Sequence, residues 1–380
     1  MPSSYGTKLA EAFSQKLVKA IYEFSPIEEV VNRDYEGEID AVGSKLNMLN
    51  FARLSEKTYT GANLSADDLT EVNSQLVVDQ FKSFYWREKT LNKWQSYIKE
   101  PKGTVLEQTA NERKKNILTF LLGKYTKAAA GSWYGTNYTT GTVAVDASGN
   151  VTGSGTTFTA AMVGCPFQAT GQAITQSGTN FTGSQGGWYR VATFTDSTHI
   201  TIVNDTDDDA ASNTYTGPVI GSGATYTIQA ASVLTIDNNT THFLDMATQL
   251  KEYLDNNEVP DEDRYLFIPP AGMTRLLKDP NIKLNVPAAY ESLIVKGFVT
   301  ELEGFKVFKT NRLTGNNTSG FYVLAGQRNF LTFADKALNV GMEEDLIGNF
   351  GSAYKDLFVY GAKVPDERRK FGAVAYVKFA

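Results

Sequence analysis

A single cysteine, Cys165, in 380 residues excludes an intrachain disulfide framework and a cysteine-based zinc site. The only two histidines, His199 and His242, stand far apart and have no Ser, Cys or acid at a diagnostic spacing, so acid–base and metal chemistry are poorly supplied. No cofactor is expected, and no enzyme. No apolar run approaches the roughly 20 residues that a spanning helix needs. The first 21 residues carry Lys8, Glu11 and Lys16 among their apolar positions, which gives no signal-type apolar core; no membrane association and cytoplasmic synthesis are the expectations. Lysine is missing from residues 128–250. The net charge of −6 is unevenly placed, because residues 131–230 hold one basic residue, Arg190, against six aspartates and no glutamate. The rest of the chain is close to neutral. It therefore lacks the basic stripe that phosphate backbones attract, and any nucleic acid it encloses would not be gripped in a sequence-specific way.

What is present is long enough for a sizeable core and more than one domain. Residues 7–24 place Leu9, Phe13, Leu17, Ile21 and Phe24 on one helical face. Residues 45–51 and 76–86 read as strands, and residues 104–129 as a long amphipathic helix with Ile117, Leu118, Leu121 and Leu122 on its apolar side. At Gly131 the composition changes to Gly, Thr and Ser, with short alternating runs at 142–145, 188–194 and 199–203 and turn residues between them. This predicts an all-β unit over 131–230, an Ig-like sandwich or small barrel, with Trp188, Tyr189, Phe194, Ile200 and Ile202 available for its core. After it the pattern is α+β. A helix spans 246–254, a strand 265–268, a helical turn 271–277, and strands 298–302 and 305–310 flank Glu303-Gly304. Two further strands, 357–364 and 373–379, enclose the charged turn Asp366-Glu367-Arg368-Arg369-Lys370, and the last strand anchors the tail in a sheet.

Several of these segments together resemble one family. Leu254-Asp255 leads to Asn257-Glu258-Val259-Pro260, then to Arg264 before an apolar strand and Pro269-Pro270. Gly304-Phe305-Lys306-Val307-Phe308, Thr310-Asn311 and Tyr360-Gly361-Ala362-Lys363-Val364 follow in order, and Asn32-Arg33-Asp34-Tyr35-Glu36-Gly37-Glu38-Ile39 precedes them all. The set is similar to the major capsid proteins of tailed bacteriophages with the Hong Kong 97-type (HK97-like) fold, in the branch that uses a separate scaffolding protein. The resemblance departs at 90–95, where only Lys93 and Gln95 remain of the family's run before the long helix.

The resemblance implies an N-terminal arm (1–34), an extended-loop hairpin (35–75), a peripheral domain with a spine helix (76–130), the inserted β domain (131–230), an axial domain (231–345) and C-terminal peripheral strands (346–380). It implies homo-oligomers, pentamers and hexamers, closing an icosahedral virion capsid around dsDNA, assembled in the host cytoplasm. Its other partners would be a scaffolding protein and a portal. The short stretch before Asn32 leaves no room for a fused scaffolding segment. Assembly contacts are expected at Phe13, Leu17, Arg33, Tyr35, Glu36, Lys45, Lys57, Arg264, Gly361 and Lys363. Some capsids of this fold weld subunits through an extended-loop lysine; Lys45 and Lys57 lie in that region, where solvated lysines are the ordinary case.

Other candidates have blander explanations. Gly153-Ser154-Gly155 and Gly221-Ser222-Gly223 lack the Gly-Lys-Ser/Thr of a phosphate loop and read as hairpin turns. Asp205-Thr206-Asp207-Asp208-Asp209 clusters hard oxygen ligands but has neither the glycine nor the twelfth-position glutamate of a calcium loop, and reads as a solvated turn. For residues 131–230 two roles stay open. Exposed Trp133, Tyr134, Tyr138 and Tyr215 would stack on host glycans, or the domain would pack on neighbours and stiffen the capsomer. A secreted adhesin or surface-layer subunit is a third reading, and leaves the coat-like flanks unexplained.

Overall fold

The computed structural model describes residues 26–34, 45–51, 56, 71–89, 101–170, 174–176, 179–181, 187–206, 214–280, 301–345 and 350–380. A one-turn helix, α1 (Ile27–Val30), runs into β1 (Val31–Asn32). Next come β2 (Lys45–Phe51) and β3 (Glu71–Val77), an antiparallel pair with Lys45 opposite Val77 and Phe51 opposite Glu71. The run 76–86, expected as one strand, is broken at Val78-Asp79. Its second half is β4 (Gln80–Lys89), which lies in a different sheet. Burial of Val78 drives the break, because Val78 packs with Met48 and Leu76 against Ala334 and Val359. The crossing needs Gly361. A Cβ there would stand 2.3 Å from the Val77 carbonyl oxygen.

A four-stranded sheet orders β1, β21 (Leu331–Asp345), β22 (Gly351–Lys363) and β4, with only the first pair parallel. The 334–344 stretch, mixed in its sequence pattern, is thus one long strand. Across one face of the sheet lies α2 (Pro101–Gly123), whose Ile117, Leu118, Leu121 and Leu122 are buried at helical spacing. Proline at its first position suits a site with no intrahelical N–H bond to lose. The helix ends earlier than the pattern predicts, tightening into a 3₁₀ segment, Lys124–Lys127.

An eight-stranded mixed sheet orders β15 (Leu234–Ile236), β23 (Gly372–Phe379), β20 (Gly320–Gln327), β16 (Arg264–Ile268), β18 (Phe305–Lys309) and β17 (Glu301–Leu302). Two short strands join it, β19 (Gly315–Asn316) on β20 and β5 (Trp133–Tyr134) on β23. All five residues of β16 are buried, as its continuous apolar run requires. Glu303 and Gly304, with φ of 52° and 83°, make the tight bend between β17 and β18. Helix α3 (Phe243–Asn256) packs on this sheet with α4 (Pro270–Lys278). It starts at Phe243, ahead of the apolar spacing that opens at Met246, because His242 caps it and the His242 backbone N–H donates to Asp245 Oδ2 at 3.0 Å.

The third unit is all β, with its own core. Strands β14 (Val219–Ser232), β7 (Thr142–Val145), β8 (Asn150–Ser154), β13 (His199–Asn204), β12 (Tyr189–Asp196) and β9 (Pro166–Thr170) pair in that order, and β9 pairs back onto β14, closing a ring. Closure removes sheet edges, so barrel rather than sandwich is the outcome. The hairpin of β10 (Ile174–Gln176) and β11 (Thr179–Phe181) and the strand β6 (Thr136–Tyr138) also join β14 or its neighbours. Of the expected core residues Tyr189, Ile200 and Ile202 are buried, Trp188 is half-buried, and Phe194 is exposed because the irregular register of β12 turns it outward. Gly221 to Gly223 form no hairpin turn. They sit inside β14, at a register irregularity.

Candidate assembly surfaces

A buried charged contact helps hold the four-stranded sheet to α2. The Arg113 guanidinium donates to Asp356 Oδ2 and lies 4.5 Å from the centre of the Phe358 ring and 5.7 Å from that of Phe84. Asp356 also accepts the Phe84 backbone N–H at 2.9 Å, so one buried carboxylate ties helix and sheet together. The other face of β4 has no such cover in the described residues. Phe81 and Tyr85 are 47% and 66% exposed on one side of β4, next to Arg87 and half-buried Lys355 and Leu357, and Val77, 41% exposed, ends β3 just before it. Exposed aromatic side chains on an outer strand are the kind of edge that another chain can cover. Between α1, α2 and the sheet is a cleft of about 500 Å³, lined by Ile27, Glu29, Arg33, Arg113, Lys114 and Asp335.

Of the residues expected at assembly contacts, Phe13, Leu17, Tyr35, Glu36 and Lys57 lie outside the described residues. Lys45 opens β2 opposite Val77. Arg33 faces inward, with Nη2 3.8 Å from Asp335 Oδ1 and its guanidinium 5.4 Å from the Phe333 ring centre. Arg264 is a correction. It is 2% exposed and holds its own loop, donating to Asp255 Oδ1 at 2.6 Å, to the Pro260 carbonyl at 2.9 Å and to the Val259 carbonyl. Gly361 is buried at the hairpin crossing, and Lys363 is half-buried.

The largest departure concerns Asp205. Instead of a solvated turn, its carboxylate is 9% exposed and sits between two arginines. Oδ1 accepts from Arg190 Nε at 2.6 Å and from Arg369 Nη2, Oδ2 accepts from the Ala130 N–H at 3.3 Å, and the Asp205 carbonyl accepts from Arg369 Nη1. Arg190 also donates to the Ala128 carbonyl at 2.6 Å and the Gly164 carbonyl at 3.0 Å, and stacks 5.0 Å from the Trp133 ring centre. Burial lowers the Arg190 pKa, against the opposing pull of Asp205. Beside this cluster Tyr125 stacks on Tyr322 at 4.5 Å, and Tyr322 on Tyr376 at 4.4 Å. Burial pushes Tyr125 up to about 12. Cys165 is likewise pushed up to about 12 by burial, which makes it an inert packing residue.

The rings expected to stack on sugars are not presented to solvent. Trp133 and Tyr215 are buried, and Tyr134 and Tyr138 half-buried. His199 is exposed and pairs with Asp196 at 3.0 Å, where the Thr198 N–H and hydroxyl help hold the carboxylate at about 2. Among the described residues no group of three His, Cys, Asp or Glu is placed to hold a metal ion, and no helix is long and apolar enough to cross a membrane.

Residues 189–374 match the model of the phage capsid protein family. Just under half of the chain is thus similar to phage capsid proteins. Its fold is similar to a chain of Mycobacterium phage Che8, 13% identical with a TM-score of 0.58, the match covering 98% of both chains. It is also similar to a chain in the capsid structure of the Cyanophage P-SCSP1u (11%, TM-score 0.55, 98% of this chain and 94% of that one) and in the capsid of Ralstonia phage GP4 (13%, 0.52, 100% and 98%). No curated protein matches the chain. The capsid family points to a structural, non-enzymatic protein. The ties that sequence reasoning missed, Arg113–Asp356 and Arg190–Asp205–Arg369, join residues more than 160 positions apart in all but one pair. One signal was present: a lone arginine in a 100-residue acidic stretch has its nearest sequence carboxylates at Asp196 and in the 205–209 cluster.

Proposed function

We propose that this chain is the major capsid protein of a tailed phage, with the Hong Kong 97-type fold, assembling as pentamers and hexamers into an icosahedral shell around dsDNA. The observation that carries the reading is the pair Phe81 and Tyr85 on the outer strand β4, with Val77 at the end of β3, which the described part of one copy leaves exposed. Shell interfaces of this kind bury on the order of 2,000 Å² or more per pair. In this reading the arm is 1–34, the extended loop 35–75 is built on β2 and β3, α2 is the spine helix, and the four-stranded and eight-stranded sheets are the peripheral and axial domains. Strand β21 then belongs to the peripheral part, although 231–345 was expected to be axial. A scaffolding protein, a portal and dsDNA held without sequence readout are the further partners, and assembly takes place in the host cytoplasm.

The barrel reads as an insertion that faces outward. Its separate core and its paired ends, Thr136 opposite Ser232, support the insertion, while the family match, starting at 189, takes in its second half. Burial of Trp133 and Tyr215 removes the support for a glycan-binding role. Electron microscopy of the purified chain, alone or co-expressed with its scaffold, is expected to show capsomers or shells. The double substitution Phe81→Ser with Tyr85→Ser should abolish them while changing unassembled stability little, about 0.5 kcal/mol per exposed site. Sedimentation as a compact monomer under every assembly condition overturns the proposal.

A further inference from the structure

Apart from the passage from β4 through α2 to β5, the described chain passes between its two body sheets at two points. One is the 3₁₀ segment Arg328–Phe330 from β20 to β21, and the other is Asp366–Phe371 from β22 to β23. The two segments touch. A Cβ on Gly372 would stand 2.4 Å from the Phe330 ring, so a change in the angle between the sheets disturbs this contact. The Asp366–Phe371 segment was expected to be a charged surface turn, yet its Arg369 is 6% exposed.

What buries Arg369 comes from outside both sheets. Its Nη1 and Nη2 donate to the barrel's Asp205, and its Nε donates to the Lys127 carbonyl at the end of α2 at 3.0 Å. Its own carbonyl accepts the Ala129 N–H at 3.0 Å, and the Val374 N–H donates to the Ser132 carbonyl at 2.9 Å. Asp205 in turn is held by Arg190 on β12, within the barrel. One carboxylate thus joins the barrel, the end of the spine helix and the crossover between the sheets.

We infer that the barrel acts as a conformational lock on the hinge between the two body sheets, with Asp205, between Arg190 and Arg369, as the contact that closes it. The physical argument is the asymmetry of buried charge. With Asp205 in place each guanidinium has a carboxylate; without its charge two buried cations face each other with only Asp366, 3.8 Å from Arg369, left nearby. The junction then gains a reason to open that β7 and β8, which carry neither arginine, do not share. The inference goes beyond shell formation, since it concerns the shape of a single subunit.

Hydrogen exchange read by mass spectrometry on the unassembled full chain tests it. Asp205→Asn keeps an acceptor oxygen and removes the charge. It is expected to speed exchange in peptides covering 126–134, 328–331 and 366–374 by about tenfold or more, leaving 143–151 in the barrel and 243–256 in α3 as in the parent. Parent-like exchange at the crossover, or equal opening of 143–151, overturns the inference. Should Asp205→Asn fail to fold, Arg369→Lys gives the same reading, because it leaves the Asp205–Arg190 pair inside the barrel. Crossover opening alone then supports the lock, and unchanged exchange overturns it. Loss of shells enters neither outcome, so the assembly proposal fails or stands separately.

Discussion

Asp356 shows what a single residue does in this subunit. It stands on β22, accepts from the helix through Arg113 and from the neighbouring strand through the Phe84 N–H, and is 8% exposed. Removing one partner of such a pair leaves the other charged, buried and alone, at a cost of about 3–5 kcal/mol. Asp356→Ala is therefore expected to lower the urea midpoint strongly, and adding Arg113→Met to it should recover much of the loss. A double variant no more stable than the single one would mean that the ring contacts of Arg113, not its charge, hold the helix. Neither residue had a sequence signal. Both sit in stretches whose charges look like a solvated face, and only the fold brings positions 113 and 356 together.

At the scale of elements, apolar periodicity was a reliable guide wherever one face of an element meets one core. Strand β2, helix α3, strand β16 and the pair β17–β18 lie where alternation, capping and turn residues put them. It misled where an element changes partner midway. The 76–86 run is apolar and β-branched throughout, yet Val78 belongs to the hairpin base and Phe84 to the helix-covered sheet. Gly361 permits that change of partner by letting β22 pass under the Val77 carbonyl. Gly361→Ala forces the crossing apart and is expected to cost about 1–3 kcal/mol of stability, read by thermal or chemical denaturation. A neutral result would show that the hairpin base slides freely over the sheet.

For the molecule as a whole, the relation of barrel to body is the central feature. The barrel's ends are neighbours, Thr136 opposite Ser232, so residues 136–232 can be replaced geometrically by a short Gly-Ser bridge. Easy closure does not make the barrel dispensable. Its removal strips Asp205 from Arg369 and Arg190 from the Trp133 ring, leaving Arg369 without its carboxylate and an uncovered aromatic stack in the body. The shortened chain is expected to lose several kcal/mol of body stability, seen as a lower melting temperature, and Arg369→Met in the same background should restore part of it. Parent-like melting of the shortened chain would show that barrel and body are independent.

The sequence by itself determined the elements and their division into a Thr/Gly-rich β unit within an α+β frame, because alternation, helical spacing and turn residues act over a few neighbouring positions. The family motifs were legible for the same reason, being short and in order. Only the tertiary structure decided which charges are internal ties: Arg264 and Arg369 look like surface residues until the chain returns to bury them. It also decided that Asp205 closes a junction instead of capping a solvated turn. Burial and pairing of a charge depend on segments far away in the chain, and that information lies in the packed arrangement, not in any local pattern.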